Sequence, residues 1–583
     1  MNQKRRPLIS ATAIALCLLP ALASAANLSP LLPAGVAGPY LAARQASQNA
    51  DYASAARFYG EALSHDPGNA DLMRATVASD VALGDFAKAL PVAKALAKAD
   101  TQSQIAMLLV LAGKLKAGDY AAALSQIQAG EGAGPLVDGL ATAWAQVGEG
   151  KMSDALASFD KLAKTSGLKA FALYHKALAM ASVGDYEGAE KILSGQGGTA
   201  LNLTRRGLVA EAEILSQLDR DKDALKLLND KLGSQTDPGL EPLRQRLKDG
   251  QVVPFDSVRN AQDGLSEVFL SVAAALKGEA ADGYTLLYSR LAEFLRPDNG
   301  DAILVSAELL DSEKQYALAV AAYDKLPRTS TDYFAGQVGR AQALYSGGQV
   351  DAAIGAMKQL VAAHPDQVEA QIALGDLLRR QSRYAEAIPA YDAAIKLIKT
   401  PQMADWAVYY MRGICHERLG DWAKAEPDFR EALKLKPNQP EVLNYLGYGM
   451  VERGEKLDEA LNMIQRAVAA RPNDGFIVDS LAWAYFRLGE YQKALPIAER
   501  ASQLQPVDAV VTDHLGDVYW AVGRKMEARF QWRRALSFNP DPKDAERIKR
   551  KIDLGLDAVL KQEGAASLKP VKTVENGSAS SGG

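Results

Sequence analysis

Apolar side chains in this chain fall three and four positions apart, as Leu443, Leu446 and Met450 do. At about 100° per residue that spacing lines them on one side of an α-helix; alternating strand patterns are absent, so the prediction is an all-α chain. The helical pattern itself repeats. Tyr491-Gln-Lys-Ala494-Leu is followed by Pro506 twelve residues after its alanine, and Lys525-Met-Glu-Ala528-Arg by Pro540 at the same distance, a period of 34. Tracing the alanine gives Ala55, Ala89, Ala123, Ala155, Ala189 and Ala224, then, after a break, Ala319, Ala353, Ala387, Ala425, Ala460, Ala494 and Ala528. A weaker unit fits between the two series, with Ala273, Ala292 and Pro297 in phase and Thr285 where the alanine belongs.

Other positions recur in the same phase, most fully from about residue 335 to 540. First-helix positions carry Leu374-Gly375, Gly413, Leu446-Gly447, Leu481-Ala482 and Leu515-Gly516, and turns fall at Gly420, Gly454, Gly489 and Gly523. Tyr391, Phe429 and Trp532 stand four residues after their alanines. The set resembles the tetratricopeptide repeat, which has a Trp/Leu/Gly/Tyr set on a first helix, an Ala and an aromatic on a second, and a closing Pro. The resemblance implies a helix-turn-helix solenoid (a TPR superhelix), whose hairpins stack because one pair of short helices cannot bury its apolar stripe alone. Gly447 and Ala494 would then let helix backbones approach while Leu515 and Tyr519 fill the space. This specifies a fold, not a function, since the superfamily hosts many unrelated roles.

Breaks in the pattern mark the organisation. Lys4, Arg5 and Arg6 precede the apolar run Leu8 to Leu22 and the small residues Ala23-Ser24-Ala25, so residues 1–25 read as a secretory signal peptide. Pro20 interrupts the run and argues against an uncleaved anchor, and Leu16 before Cys17 argues against lipidation. A degenerate solenoid is expected over 26–234. An irregular connection over 235–262 is marked by Pro238-Gly239, Pro242, Gly250 and Val252-Val253-Pro254. A second solenoid follows over 263–540, then a polar-faced capping helix over 541–562 and a disordered Gly/Ser-rich tail over 563–583. No stretch after the signal approaches the about 20 apolar residues that cross a bilayer.

Composition narrows the function classes. At 48% hydrophobic the chain is too apolar for disorder, and with 66 Lys+Arg against 70 Asp+Glu it is too balanced for a protein whose partner is naked nucleic acid. Removing the signal takes away three positive charges and leaves a mildly acidic exported chain in which Cys415 is the remaining cysteine, so no intramolecular disulfide can form. His65, His175, His364, His416 and His514 stand at no metal-ligand spacing, and His416 falls on a position the repeat buries. Gly195-Gln-Gly197-Gly198-Thr-Ala200 superficially matches a dinucleotide fingerprint, but no strand precedes it and it reads as a loop. No phosphate-binding loop or nucleophile elbow is present, and no metal or cofactor is called for. Arg547-Ile-Lys-Arg-Lys551 reads as a solvated cap face.

The remaining candidate is the concave wall formed by the first helices. With Gly447 as zero, Leu443, Leu446 and Met450 face the core, while Asn444, Tyr448, Val451 and Glu452 fall on the other face of the same helix. Equivalent positions are Asp376, Arg379 and Arg380; Tyr410, Glu417 and Arg418; Asp479, Trp483, Phe486 and Arg487; and Asp513, Asp517 and Trp520. Aromatic and arginine side chains of this kind make the largest contributions at protein interfaces. In the related domains that hold chaperone C-termini, Lys, Arg and Asn form a clamp for a terminal carboxylate. Here the matching positions hold Glu369, Ala407, Glu441, Phe476 and Val510, then Ala373, Met411, Tyr445, Ser480 and His514, so that clamp is absent. The expectation is a non-enzymatic periplasmic scaffold that binds another envelope protein or secreted chain, in the manner of exported repeat proteins of Gram-negative bacteria. Glycan binding through Trp483 and Trp520 is the second reading and requires both rings exposed. An enzyme would require a close cluster of titratable groups within 235–300.

Overall fold

The structure, a computed structural model, describes residues 35–196, 198–233 and 237–569. The expected signal peptide and residues 570–583 of the expected tail lie outside the described residues. Among the described residues there are thirty-one α-helices, α1 (Ala37–Gln48) to α31 (Leu556–Gln562), and no strand. Most of them pair as consecutive helix-turn-helix hairpins. The traced alanines from Ala55 to Ala528, with Thr285 in the weaker unit, lie on second helices and are fully buried.

Local chemistry explains where the hairpins turn. Asp51, Asp85, Asp119 and Asp185 each cap a second helix, the carboxylate accepting the backbone N–H three residues on. Such a cap contributes typically about 1 kcal/mol. Gly420, Gly454, Gly489 and Gly523 take φ of +79°, +70°, +82° and +89° at the turns, where an L side chain would be strained. Gly375, Gly413 and Gly516 work by closeness instead. A Cβ on them would stand 2.7, 2.7 and 2.5 Å from the rings of Tyr391, Phe429 and Trp532.

The chain divides into two compact units after Ala363. In the first, the wall of first helices α3 (Ala70–Leu83), α5 (Gln104–Lys116), α7 (Pro135–Gly148) and α9 (Lys169–Ser182) is covered by the chain itself. Helix α14 (Ala261–Leu276) packs on α5, α7 and α9, and α15 (Asp282–Leu295) on α3 and α5. Gly264 of α14 lies flat on Trp144, where a Cβ would come within 2.3 Å of the indole. The Trp144 indole N–H donates to His175 Nδ1 at 3.1 Å, and Ser271 of α14 meets His175 Nε2 at 3.2 Å. Burial pushes His175 down to about 3, so it stays neutral. Arg290 of α15 is buried, donating to the Ala82 carbonyl at 3.1 Å and pairing with Glu293.

Within 235–262 a 3₁₀ turn (Pro238–Leu240) leads into α13 (Glu241–Lys248) and an extended strip. The strip is stitched to α11 (Arg205–Gln217): the N–H of Val253 donates to Ser216 and that of Ser257 to Glu213, both at 3.0 Å.

The second unit stacks hairpins from α20 (Val368–Arg380) to α29 (Lys525–Leu536). Its cap is two helices, α30 (Pro542–Leu554) and α31, because Gly555 at φ +84° interrupts the single helix expected over 541–562. Lys551, expected on a solvated face, is fully buried. Its ammonium donates to Asp513 at 2.7 Å and Asp517 at 2.7 Å on α28 (Ala509–Ala521), since a cation this deep must be paired. The start of the expected disordered tail is also held. Leu568 packs on the apolar core of the second unit, the N–H of Lys569 donates to the Tyr491 hydroxyl at 3.0 Å, and its ammonium donates to the Leu488 carbonyl at 2.8 Å.

Candidate functional site

In the second unit, first helices α22 (Trp406–Arg418), α24 (Pro440–Arg453), α26 (Gly475–Leu488) and α28 line a groove with a cavity of about 360 Å³. Four of the residues predicted for partner binding, Arg418, Asn444, Tyr448 and Asp479, lie on it. Helix caps set the rest of the lining. Asp474 accepts from the N–H of Phe476 and Ile477 and starts α26, while Asp508 accepts from the N–H of Val511 and starts α28. Phe476 and Val510 thereby sit in first turns at the groove with 53% and 48% of their surface open.

Charge in the groove centres on Asp479, which is only 5% exposed. Its Oδ2 lies 2.7 Å from His514 Nδ1. Burial alone would lower His514, but Asp479, with Asp513 and Asp517 nearby, holds it above the usual histidine value. Asp479 Oδ1 and Asn444 Oδ1 are buried without a hydrogen-bond partner. Burial, with Glu452 and Asp479 close by, holds the Tyr448 phenol far above the usual tyrosine range.

The other predicted site residues are used elsewhere. Trp483 is a core residue: its ring is stacked between Phe486 at 4.7 Å and His514 at 4.0 Å, and its indole N–H donates to Glu452. Trp520 is equally buried, donating to Asp557 of α31 at 2.8 Å beside Trp532. Neither presents an open ring face, which removes the stacking surface the glycan reading requires. Asp513 and Asp517 are occupied by Lys551, and the Trp532 indole also donates to Asp517 at 2.9 Å. Tyr410 is buried among Trp406, Phe429 and Tyr445. Asp376 accepts from the Tyr391 hydroxyl at 2.6 Å with Arg379 beside it, and Arg487 donates to the Glu452 carbonyl at 3.2 Å. Arg380 is exposed at the end of α20. Tyr445, Phe476, Ser480, Val510 and His514, which fall outside the wall-face positions predicted from helical angles, also line the groove. Their signal was their place in the clamp positions, which were weighed only for a carboxylate.

A cluster of titratable groups of the kind an enzyme would require does reach into 235–300, in the first unit. It borders a second cavity of about 440 Å³ among α9, α11, α14 and α16 (Gly300–Ser312). Its charges answer one another. Arg206 donates to Glu267 at 2.5 Å, Asp301 at 2.6 Å and the Ser257 carbonyl at 3.1 Å, and the Tyr174 hydroxyl donates to Glu267 at 3.0 Å. That arrangement ties α9, α11, α14 and α16 together. Cys415 is fully buried, and burial pushes its thiol up to about 12. Among the described residues no cluster of three or more His, Cys, Asp or Glu could hold a metal, and no helix is long and apolar enough to cross a membrane.

A family model described as tetratricopeptide repeat matches residues 338–404 and 452–509, and another of the same description matches 406–439. Over 187 residues, 32% of its length, the chain is 26% identical to a TPR repeat-containing protein of Pseudomonas aeruginosa, spanning 31% of that protein. Over 183 residues, 31% of its length, it is 25% identical to a CTR9 homolog of Arabidopsis thaliana, spanning 16% of it. A crystal structure of the APC/C hetero-tetramer Cut9-Hcn1 is 16% identical with a TM-score of 0.37, covering 89% of this chain and 96% of that one. The repeats matched between residues 338 and 509 are tetratricopeptide repeats, a class whose proteins mediate protein–protein interaction as scaffolds.

Proposed function

We infer that this chain of tetratricopeptide repeats is a non-enzymatic scaffold that holds an extended segment of another protein in the groove of its second unit, and that it does so in the periplasm, in cell-envelope assembly or export. The groove carries the reading. It lies on the first helices of the second unit, and it mixes open apolar side chains, Phe476 and Val510, with the polar Arg418, Asn444 and Asp479. A peptide offers the same mixture, apolar side chains on a hydrogen-bonding backbone. A protein segment suits it better than a sugar, because Trp483 and Trp520 have no face left for stacking. Export is supported by the basic start, apolar run and small-residue site over residues 4–25.

The test is photo-crosslinking in the native cell, with the full chain carrying a photoreactive residue at Phe476 or, away from the groove, at Met526, which is 78% exposed. One dominant protein adduct from position 476 that is missing from 526, on a chain whose N-terminus is Ala26, is expected. Equal labelling from both positions, or none from 476, would sink the groove reading. An uncleaved chain in the cytoplasmic fraction would sink the location.

A further inference from the structure

We propose that the groove accepts a basic side chain of its partner, a lysine ammonium or an arginine guanidinium, seated between Asp479 and Asn444; this rests on reading the groove as a protein-binding surface. Asp479 is 5% exposed and uses one carboxylate oxygen on His514, while its Oδ1 has no partner. Asn444 Oδ1, on the neighbouring first helix, is likewise buried and unpaired. A buried acceptor left without a donor is destabilising, and here two such atoms belong to residues that line one cavity. Both vacancies are acceptors, so the occupant must bring donors.

Charge selects among donors. On the lining, the carboxylates of Glu417, Asp479 and Asp508 outnumber the cations of Arg418 and His514, and Arg418 already lies 3.7 Å from Glu417. A backbone amide offers a single N–H. An ammonium offers three donors and a guanidinium five, with no acceptor to clash against either oxygen. The aliphatic stem of either side chain also has a place to lie, against the open Phe476 and Val510, so the whole residue is matched and not only its head.

The experiment is selection from a random peptide display library on the full-length chain, its Asp479→Asn variant and its Asn444→Asp variant. Asp479→Asn keeps an acceptor for His514 while removing the charge, and Asn444→Asp adds a charge at a half-buried position. The native chain is expected to enrich peptides with Lys or Arg at one fixed place. Asp479→Asn should weaken binding of those peptides about tenfold or more, the size of a lost charge-assisted hydrogen bond, and Asn444→Asp should sharpen the basic preference. Enriched peptides with no basic position, or a basic preference unchanged in both variants, would overturn the proposal while leaving a peptide groove in place. Enrichment of no peptide by the native chain would overturn the groove reading and this proposal with it.

Discussion

The two units build the same wall of first helices and use it differently. In the first, α14 and α15 lie on that wall, with Gly264 flat against Trp144 and Ser271 closing the His175 bond. In the second, Arg418, Asn444, Tyr448 and Asp479 face a groove, and the end of the wall is covered where Lys551 and Asp557 reach Asp513, Asp517 and Trp520. A concave repeat surface is therefore a binding surface only where the chain has not already filled it. Position in the repeat says that a residue is on the wall; what covers the wall is decided by elements outside the repeat.

Removing what covers the wall should give the largest effects. Trp144→Ala deletes a fully buried indole together with its bond to His175 and should cost about 3–5 kcal/mol. Hydrogen exchange should speed up across α7 and α14 while that of α26 and α28 stays at the native rate; loosening confined to exposed loops would mean that α14 does not seal the wall. Lys551→Met should destabilise the second unit by a similar amount, about 3–5 kcal/mol, because it takes the ammonium from the buried Asp517, which keeps the Trp532 indole and Arg547 at 3.9 Å, and from the half-buried Asp513. Chemical denaturation reads this directly, and a loss under 1 kcal/mol would return Asp513 and Asp517 to the pool of binding residues.

A smaller and graded difference lies in the buried histidines, which respond to acid with opposite sign. His175 is held near 3 against 6.5 when unfolded, so below pH 6.5 the unfolded chain binds the extra proton and stability falls. Relative to His175→Gln, the native chain should lose about 1.4 kcal/mol per pH unit from 6.5 down to about 3. His514 is shifted upward, so its pairing with Asp479 contributes fully below the unfolded value and is lost as pH rises through the folded one. The advantage of the native chain over His514→Gln should then be largest in mild acid and shrink above neutrality. Parallel pH profiles for the two variants would remove the contrast.

The fold was legible because its signal is periodic packing. An alanine every 34 residues and a glycine opposite an aromatic ring are demanded by helices in contact, and the buried alanines and the close pairs Gly375–Tyr391 and Gly516–Trp532 are that demand met. The site was legible only as a face. Helical angles placed Asp479, Trp483, Asp513, Asp517 and Trp520 together, but Lys551, one period of 34 residues beyond Asp517, stands in the cap within a basic run that reads as a solvated face, and nothing in that run sets it apart as the buried partner. The same limit hid the packing of α14 and α15 on the first unit's wall: their unit is in phase, with Thr285 in place of the alanine, and phase alone does not show what a helix covers. Phe476 and His514 were missed for another reason. They stand at the positions where related domains carry the Lys, Arg and Asn of a carboxylate clamp, and an aromatic ring and an imidazole do not match that pattern.

The smallest stability change is the sharpest test of the contrast. Phe476 and Trp144 are both aromatic residues on first helices, yet Phe476 keeps 53% of its surface open and makes no ring stack, while Trp144 is fully buried. An exposed substitution away from caps and core stays within about 0.5 kcal/mol, so Phe476→Ala should leave the melting curve almost unchanged. Asp474 would still cap α26 through the backbone N–H groups, which do not depend on the side chain at 476. Binding of groove peptides should nevertheless fall severalfold, since an open aromatic beside a pocket is the residue type that anchors interfaces. A Trp144→Ala chain should show the reverse, with peptide binding retained wherever the second unit remains folded. If both substitutions lowered stability and spared binding, the open wall of the second unit would be no more a binding surface than the filled wall of the first.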